Sequence, residues 1–149
     1  MTNNDRNRPN GDRRTAPIRT LVVDDSSHWL EPLCYFLESH SGIALVGTAS
    51  DGVEALASIE RLRPELVVLD VQMPRMDGLE TVTLIRGRFP ETRIVMMSFD
   101  DSPAVRKSCE AWGAHAFVPK SAPPASLLDE VFRICDRSHP GAADTVPKI

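Results

Sequence analysis

Leu66-Val67-Val68-Leu69-Asp70-Val71-Gln72-Met73-Pro74 is the stretch that decides how this chain folds. Four consecutive apolar residues run into a single acid, and a proline follows shortly after. A strand with one wet face alternates apolar and polar residues, whereas an unbroken run means that both faces are covered. Strands of that kind belong to parallel sheets with helices on each side. Two more runs share the character: Leu21-Val22-Val23 ahead of Asp24-Asp25, and Ile94-Val95-Met96-Met97 ahead of Ser98.

Working outward, strands are expected over Ile18–Val23, Ile43–Ala49, Leu66–Asp70, Arg93–Ser98 and Ala116–Val118. The segments between them carry helical spacing. Trp29, Leu33, Phe36 and Leu37 share one face, Val53, Leu56 and Ala57 another, and Leu127, Leu128, Val131, Phe132 and Cys135 a third. The fourth helix is less apolar, but Ser102 ahead of Pro103 reads as an N-cap followed by a first-turn proline, and Gly113 closes the last turn. Pro32 is expected to bend or delay the first helix. The third, over about 79–89, carries Gly87 near its frayed end. Five βα units with right-handed crossovers make an α/β fold with a doubly wound, five-stranded parallel sheet.

The chain of 149 residues has room for one domain, expected over residues 18–137, with a disordered leader over 1–17 and a flexible tail over 138–149. Its net charge of −4 argues against a general nucleic-acid binder, which would be basic. No run is apolar and long enough to cross a bilayer, and the start does not resemble a signal peptide, so a cytoplasmic protein is expected. Cys34, Cys109 and Cys135 lack a pairing pattern and read as buried or half-buried thiols. His28, His40, His115 and His139 lack ligand spacing and read as structural or surface residues.

Open parallel sheets bind ligands at the carboxyl ends of their strands. Strand one ends in Asp24-Asp25, strand three in Asp70, strand four in Ser98, and strand five in Pro119-Lys120. Strand ends are often polar merely because they meet solvent, and that accounts for any one of these residues. It accounts poorly for three carboxylates, a hydroxyl and an ammonium on one rim. Crowded acids repel, and a hard divalent cation is the usual remedy; Mg2+ prefers oxygen ligands and phosphate oxygens. An Asp at a strand tip beside such an ion is suited to accept a phosphoryl group. Lys120 would supply a point charge to it and Ser98 a hydrogen bond.

Leu21-Val22-Val23-Asp24-Asp25-Ser26, Asp51-Gly52-Val53-Glu54-Ala55-Leu56, the segment from Leu69-Asp70 through Met73-Pro74-Arg75-Met76-Asp77-Gly78, and Ala116-Phe117-Val118-Pro119-Lys120-Ser121 together resemble the receiver domains of bacterial two-component response regulators. The likeness covers residues 18–137 and implies a flavodoxin-like strand order of 2-1-3-4-5. It implies a phosphorylation switch rather than an enzyme, with Asp70 as phosphoacceptor. Asp25, Asp70 and the backbone carbonyl of Gln72 would ligate Mg2+, with Asp24 acting through water. Ser98 matches the family's switch hydroxyl, Lys120 its phosphate-pairing lysine and Phe117 its switch aromatic. Pro74, Asp77 and Gly78 read more simply as a loop leading into helix three. The resemblance implies a sensor histidine kinase or phosphotransfer protein as donor, and a downstream protein partner on the face of helix four, strand five and helix five. Pairing of two copies through that face stays open. Met97, Cys109, Trp112 and Phe117 are candidates for the coupling or the partner surface, with Trp112 alternatively a half-buried residue closing helix four.

Three positions depart from the family pattern. Phe99 stands where a small residue is usual; its ring either narrows access to Asp70, as Gln72 would also modulate it, or folds onto helix four. Ser121 follows Lys120 where many receivers have proline, a form closer to receivers that precede LuxR-type DNA-binding domains. Phe117 lacks a tyrosine hydroxyl, so an inward swing would rest on packing alone. Competing readings are a haloacid-dehalogenase-type phosphatase, a pseudo-receiver that ignores phosphate, and the receiver part of a longer DNA-binding regulator. The first is disfavoured because Asp70-Val71-Gln72 lacks a second acid after the nucleophile.

Overall fold

The structure, a computed structural model, describes residues 16–137. The elements alternate throughout: β1 (Ile18–Val23), α1 (Ser27–Glu38), β2 (Ile43–Ala49), α2 (Gly52–Leu62), β3 (Leu66–Asp70), α3 (Gly78–Arg88), β4 (Arg93–Ser98), α4 (Pro103–Trp112), β5 (Ala116–Pro119) and α5 (Pro124–Ile134). All strand pairings are parallel, and the sheet order is β2-β1-β3-β4-β5, as expected. Only β5 exceeds its expected bounds, by Pro119. Of the leader expected over 1–17, residues 1–15 lie outside the described residues, as does the whole tail expected over 138–149.

Every residue of β3 is buried, and so is every residue of β4 after Arg93. Successive side chains leave opposite faces of the sheet and feed two separate cores. Val22, Val68, Val95 and Val118 join Leu33 and Leu37 of α1 and Leu127, Val131 and Phe132 of α5. Leu21, Val67, Leu69 and Met96 join Ala55 and Ile59 of α2, Val82 and Ile85 of α3, and Cys109 of α4. Fully burying each large apolar side chain contributes roughly 1.5–3 kcal/mol, so neither layer is dispensable.

One local expectation needs correction, and half of another does. The buried face of α2 is Gly52, Ala55, Ser58 and Ile59, while Val53 is 51% exposed. Small residues let this helix lie close to the sheet, and they carry too little hydropathy to mark the face. Pro32 sits inside α1 without delaying its start at Ser27. The carbonyl it leaves without a helical donor belongs to exposed His28, where water can reach it.

The cap at α4 is as expected: Ser102 Oγ accepts from the Val105 N–H at 3.4 Å, and Gly113 takes φ 118° past the last turn. Gly87 is inside α3, and a Cβ built there meets nothing within 4 Å. Gly87→Ala should therefore stabilise the protein by roughly 0.5–1 kcal/mol, read as a raised midpoint in urea. An unchanged or lower midpoint would show that this turn is already frayed.

Candidate functional site

Parallel pairing of the central strands assembles the rim. Val23 lies beside Leu69 and Asp70 beside Met97, so Asp24, Asp70 and Ser98 emerge from adjacent strand ends. Ser98 pairs with Pro119, and the Lys120 N–H donates to the Ser98 carbonyl at 2.9 Å, adding the lysine to the same edge. One carboxylate oxygen from each of Asp24, Asp25 and Asp70 lies within 4.8 Å of the others. Asp24 and Asp70 are buried and Asp25 is exposed, so the cluster opens to solvent on one side.

Lys120 closes the other side. Its Nζ is 2.7 Å from Asp24 Oδ2 and 3.4 Å from Asp70 Oδ1, with its side chain 5% exposed. Asp24 Oδ1 also accepts from the Ser26 N–H at 2.9 Å, which fixes the carboxylate at the entry to α1. Burial and the charge of Asp24 push the Asp70 carboxyl up to about 6, against the pull of Lys120 and the Gln72 N–H. A buried acid facing a second acid holds its proton unusually well, and a cation arriving there displaces it.

The loop after β3 is tied down from two directions. Gly78 is required by close approach, because a Cβ there would fall 2.2 Å from the Asp70 carbonyl oxygen. Asp77 caps α3 by accepting from the Glu80 N–H at 2.9 Å, consistent with the structural reading of this loop. Arg75, with φ 68°, pairs its guanidinium with Asp51, the N-cap of α2. That ion pair was not anticipated; a basic residue within the Pro74–Asp77 turn was its only trace in the sequence.

Phe99 is 67% exposed, and its ring is turned toward α1 and Lys120. Its ring meets the Trp29 ring edge-on, with centroids 5.4 Å apart and planes at 72°. Lys120 Nζ lies 5.0 Å from the Trp29 centroid and 5.2 Å from that of Phe99. The apolar spacing marks Trp29 only as part of a helix face, and its place four residues after Asp25 is the one sequence signal for this contact. Gln72 is exposed beside Asp70. Ser98 is buried, with its Oγ accepting from the Asp100 N–H at 3.0 Å.

Phe117 is half-buried with the Arg106 guanidinium 4.9 Å above its ring. Both line a 330 Å³ groove between α4 and α5, with Glu110, His115 and Arg133. Of the candidates for the coupling or the partner surface, Met97 is buried core, Cys109 is buried at the floor of this groove, and Trp112 is 48% exposed. The cysteines and the described histidines match their structural reading. His115 Nδ1 accepts from the Ile94 N–H at 3.0 Å, and burial with nearby Arg86 and Arg93 pulls it down to about 4.

Comparison with known proteins agrees with this architecture. The family described as the response regulator receiver domain matches residues 20–132. The chain belongs to this family. It is a regulatory domain of two-component signalling. It is 40% identical over 119 residues to a protein-glutamate methylesterase/protein-glutamine glutaminase of Koribacter versatilis, covering 78% of this chain and 32% of that protein. The chain thus spans about a third of the length of the curated relatives it matches. Among solved structures, it is similar to a LuxR-family response regulator from Aurantimonas, at 27% identity and TM-score 0.78, covering 87% of this chain and 94% of that one. It is also similar to a chain of the CheX–CheY–BeF3–Mg complex from Borrelia burgdorferi, at 30% identity and TM-score 0.74, covering 80% and 90%. This receiver carries an acid cluster able to hold a metal ion, and no helix among the described residues is long and apolar enough to cross a membrane.

Proposed function

We propose that this receiver is a cytoplasmic phosphorylation switch that takes a phosphoryl group onto Asp70 from a histidine kinase or phosphotransfer protein. The observation that carries this reading is the buried Lys120 ammonium 2.7 Å from Asp24 and 3.4 Å from Asp70, with Asp25 completing an all-carboxylate cluster. Hard oxygen donors on one rim, one of them open to solvent, fit magnesium: Asp25, Asp70 and the Gln72 carbonyl would hold it, with Asp24 acting through water. When bound, the ion supplies neutralisation of phosphoryl oxygens.

The chain's own residues do the rest. An Asp70 carboxylate oxygen attacks phosphorus, the bond from phosphorus to the donor breaks, and the donor leaves with its electron pair. Lys120 moves from Asp24 toward the new phosphoryl oxygens, which offer it a stronger charge-assisted contact. Ser98 exchanges the Asp100 N–H for a bond donated to the phosphoryl group. The phosphoryl group carries about −1.5 to −2 in place of the single carboxylate charge of Asp70, a net gain of up to about one negative charge together with three acceptor oxygens. This biases the β4–α4 loop, with Phe117 packing into the vacated space. The face of α4, β5 and α5 changes shape in response, and a downstream protein reads it.

Incubation with acetyl phosphate and magnesium, followed by intact-mass measurement, should show one added phosphoryl group on the wild type. Labelling that survives in Asp70→Asn would move the acceptor elsewhere. Phe99 and Gln72 stand at the mouth as modulators of access. Phe99→Ala is expected to lower the half-saturating concentration of small donors and to speed hydrolytic loss, each by about 3- to 10-fold, since it opens the route for donor and water alike. An unchanged half-saturating concentration together with an unchanged rate of loss would remove the access role from Phe99.

A further inference from the structure

Phe99 poses a problem that the core cannot solve. A large apolar ring that is 67% exposed in the β4–α4 loop gains little from burial, yet it is not loose. It touches the edge of Trp29, from the first turn of α1, and both rings flank the Lys120 ammonium at 5.0 and 5.2 Å.

From this arrangement we infer that Trp29 and Phe99 form an aromatic clamp that positions Lys120 between Asp24 and Asp70. They are positioning residues acting through the lysine, and the inference rests on Asp70 being the phosphoacceptor. A lysine ammonium is a compact charge on a flexible four-carbon stem, with no fork geometry to fix it. Two carboxylates alone leave it free to slide along their oxygens. Ring faces carry negative quadrupole density and attract a cation most strongly where water is scarce, as at a side chain that is 5% exposed. Two rings at 72° to one another therefore bound the ammonium on the sides that the carboxylates leave open.

The clamp also has a built-in release. Trp29 belongs to a helix, whereas Phe99 directly follows Ser98 in the loop that moves when the hydroxyl turns to the phosphoryl group. A shift of Ser98 carries one jaw away from the lysine and leaves the other behind. Lys120 is thereby held in the unmodified protein and freed when the phosphoryl group arrives.

The test uses Trp29→Leu and Phe99→Leu, which keep apolar bulk and remove the π-face, with Trp29→Phe and Phe99→Tyr as conservative partners. Two quantities are read: the NMR shift of the Lys120 ε-methylene without metal or donor, and the phosphorylation rate against phosphoramidate concentration with magnesium. In the wild type the ε-methylene should lie upfield from ring currents, and each Leu variant should lose part of that displacement. The saturating rate should fall roughly 3- to 10-fold with an unchanged half-saturating concentration, and the conservative variants should regain part of it. Leu variants that phosphorylate at the wild-type saturating rate overturn the clamp, as does a wild-type shift at the random-coil value. A wild type that shows the upfield shift but takes up no phosphoryl group sinks the phosphoacceptor reading and the positioning role with it; the shift alone tells the two failures apart.

Discussion

Asp70→Asn is expected to abolish phosphoryl uptake and, without divalent metal at neutral pH, to make the protein more stable than the wild type. The second effect follows from where the carboxylate sits. Asp70 is 7% exposed and faces Asp24, and these surroundings raise it from 3.8 to about 6. Its folded-state value therefore lies above the unfolded one, so the folded protein binds this proton more tightly. The stability contributed by the protonated carboxyl is fully present below about pH 4 and is lost as the pH rises through about 6. A shift near two units corresponds to about 3 kcal/mol, and the loss of the 3.4 Å contact to Lys120 offsets part of it. The net gain for the isosteric amide is on the order of 1–2 kcal/mol at pH 7.5, or several degrees in the melting midpoint. Thermal melts in chelator across pH 4 to 8 would check it: the gap should open with rising pH and narrow again when magnesium is added, because binding stabilises the wild type selectively. A gap that is constant with pH would mean that Asp70 is not under strain from its neighbours.

The elements were legible where burial leaves an unambiguous mark. The central strands β1, β3 and β4 are covered on both faces, and so Leu21-Val22-Val23, Leu66-Val67-Val68-Leu69 and Ile94-Val95-Met96-Met97 read as unbroken apolar runs. The acid at the end of such a run then marks the mouth of the sheet, so the pattern alone puts Asp24, Asp25 and Asp70 on one rim. Legibility failed where a residue's meaning depends on a partner distant in sequence. Trp29 belongs to an apolar helix face and also to Lys120, ninety-one positions away by the sequence numbering. Spacing exposes the first relation and is silent on the second. Arg75 looks like an ordinary exposed cation until α2 brings Asp51 beneath it. At α2 itself the apolar pattern pointed to Val53, because the residues that meet the core, Gly52, Ala55 and Ser58, are small rather than hydrophobic.

Replacing Lys120 with methionine should have the opposite sign to the Asp70 change, and a larger size. The methionine occupies similar volume without charge, so the result isolates the ammonium. Without it, Asp24 at 3% exposure and Asp70 at 7% confront each other with no cation between them. Removing one partner of a buried ion pair leaves an uncompensated charge and typically costs about 3–5 kcal/mol. Here Asp70 can take up a proton, and losing the lysine raises its affinity for one further, so the expected loss at pH 7.5 is about 3 kcal/mol and shrinks as the pH falls. The decisive comparison is the double variant Lys120→Met with Asp70→Asn. If repulsion between the carboxylates causes the instability, removing Asp70's charge should restore most of what Lys120→Met lost, giving strongly non-additive urea midpoints. Additive effects, with Asp70→Asn gaining no more beside Lys120→Met than it does alone, would show instead that Lys120 stabilises through its contact with the rings of Trp29 and Phe99 rather than by neutralising the carboxylates. Phosphoryl uptake by the single lysine variant should fall by about 100-fold even where magnesium restores its stability, because the transferring oxygens lose a preorganised cation. A stable Lys120→Met protein that still accepts phosphoryl groups at the wild-type rate would remove the lysine from the chemistry and leave it only as the neutraliser of the resting pocket.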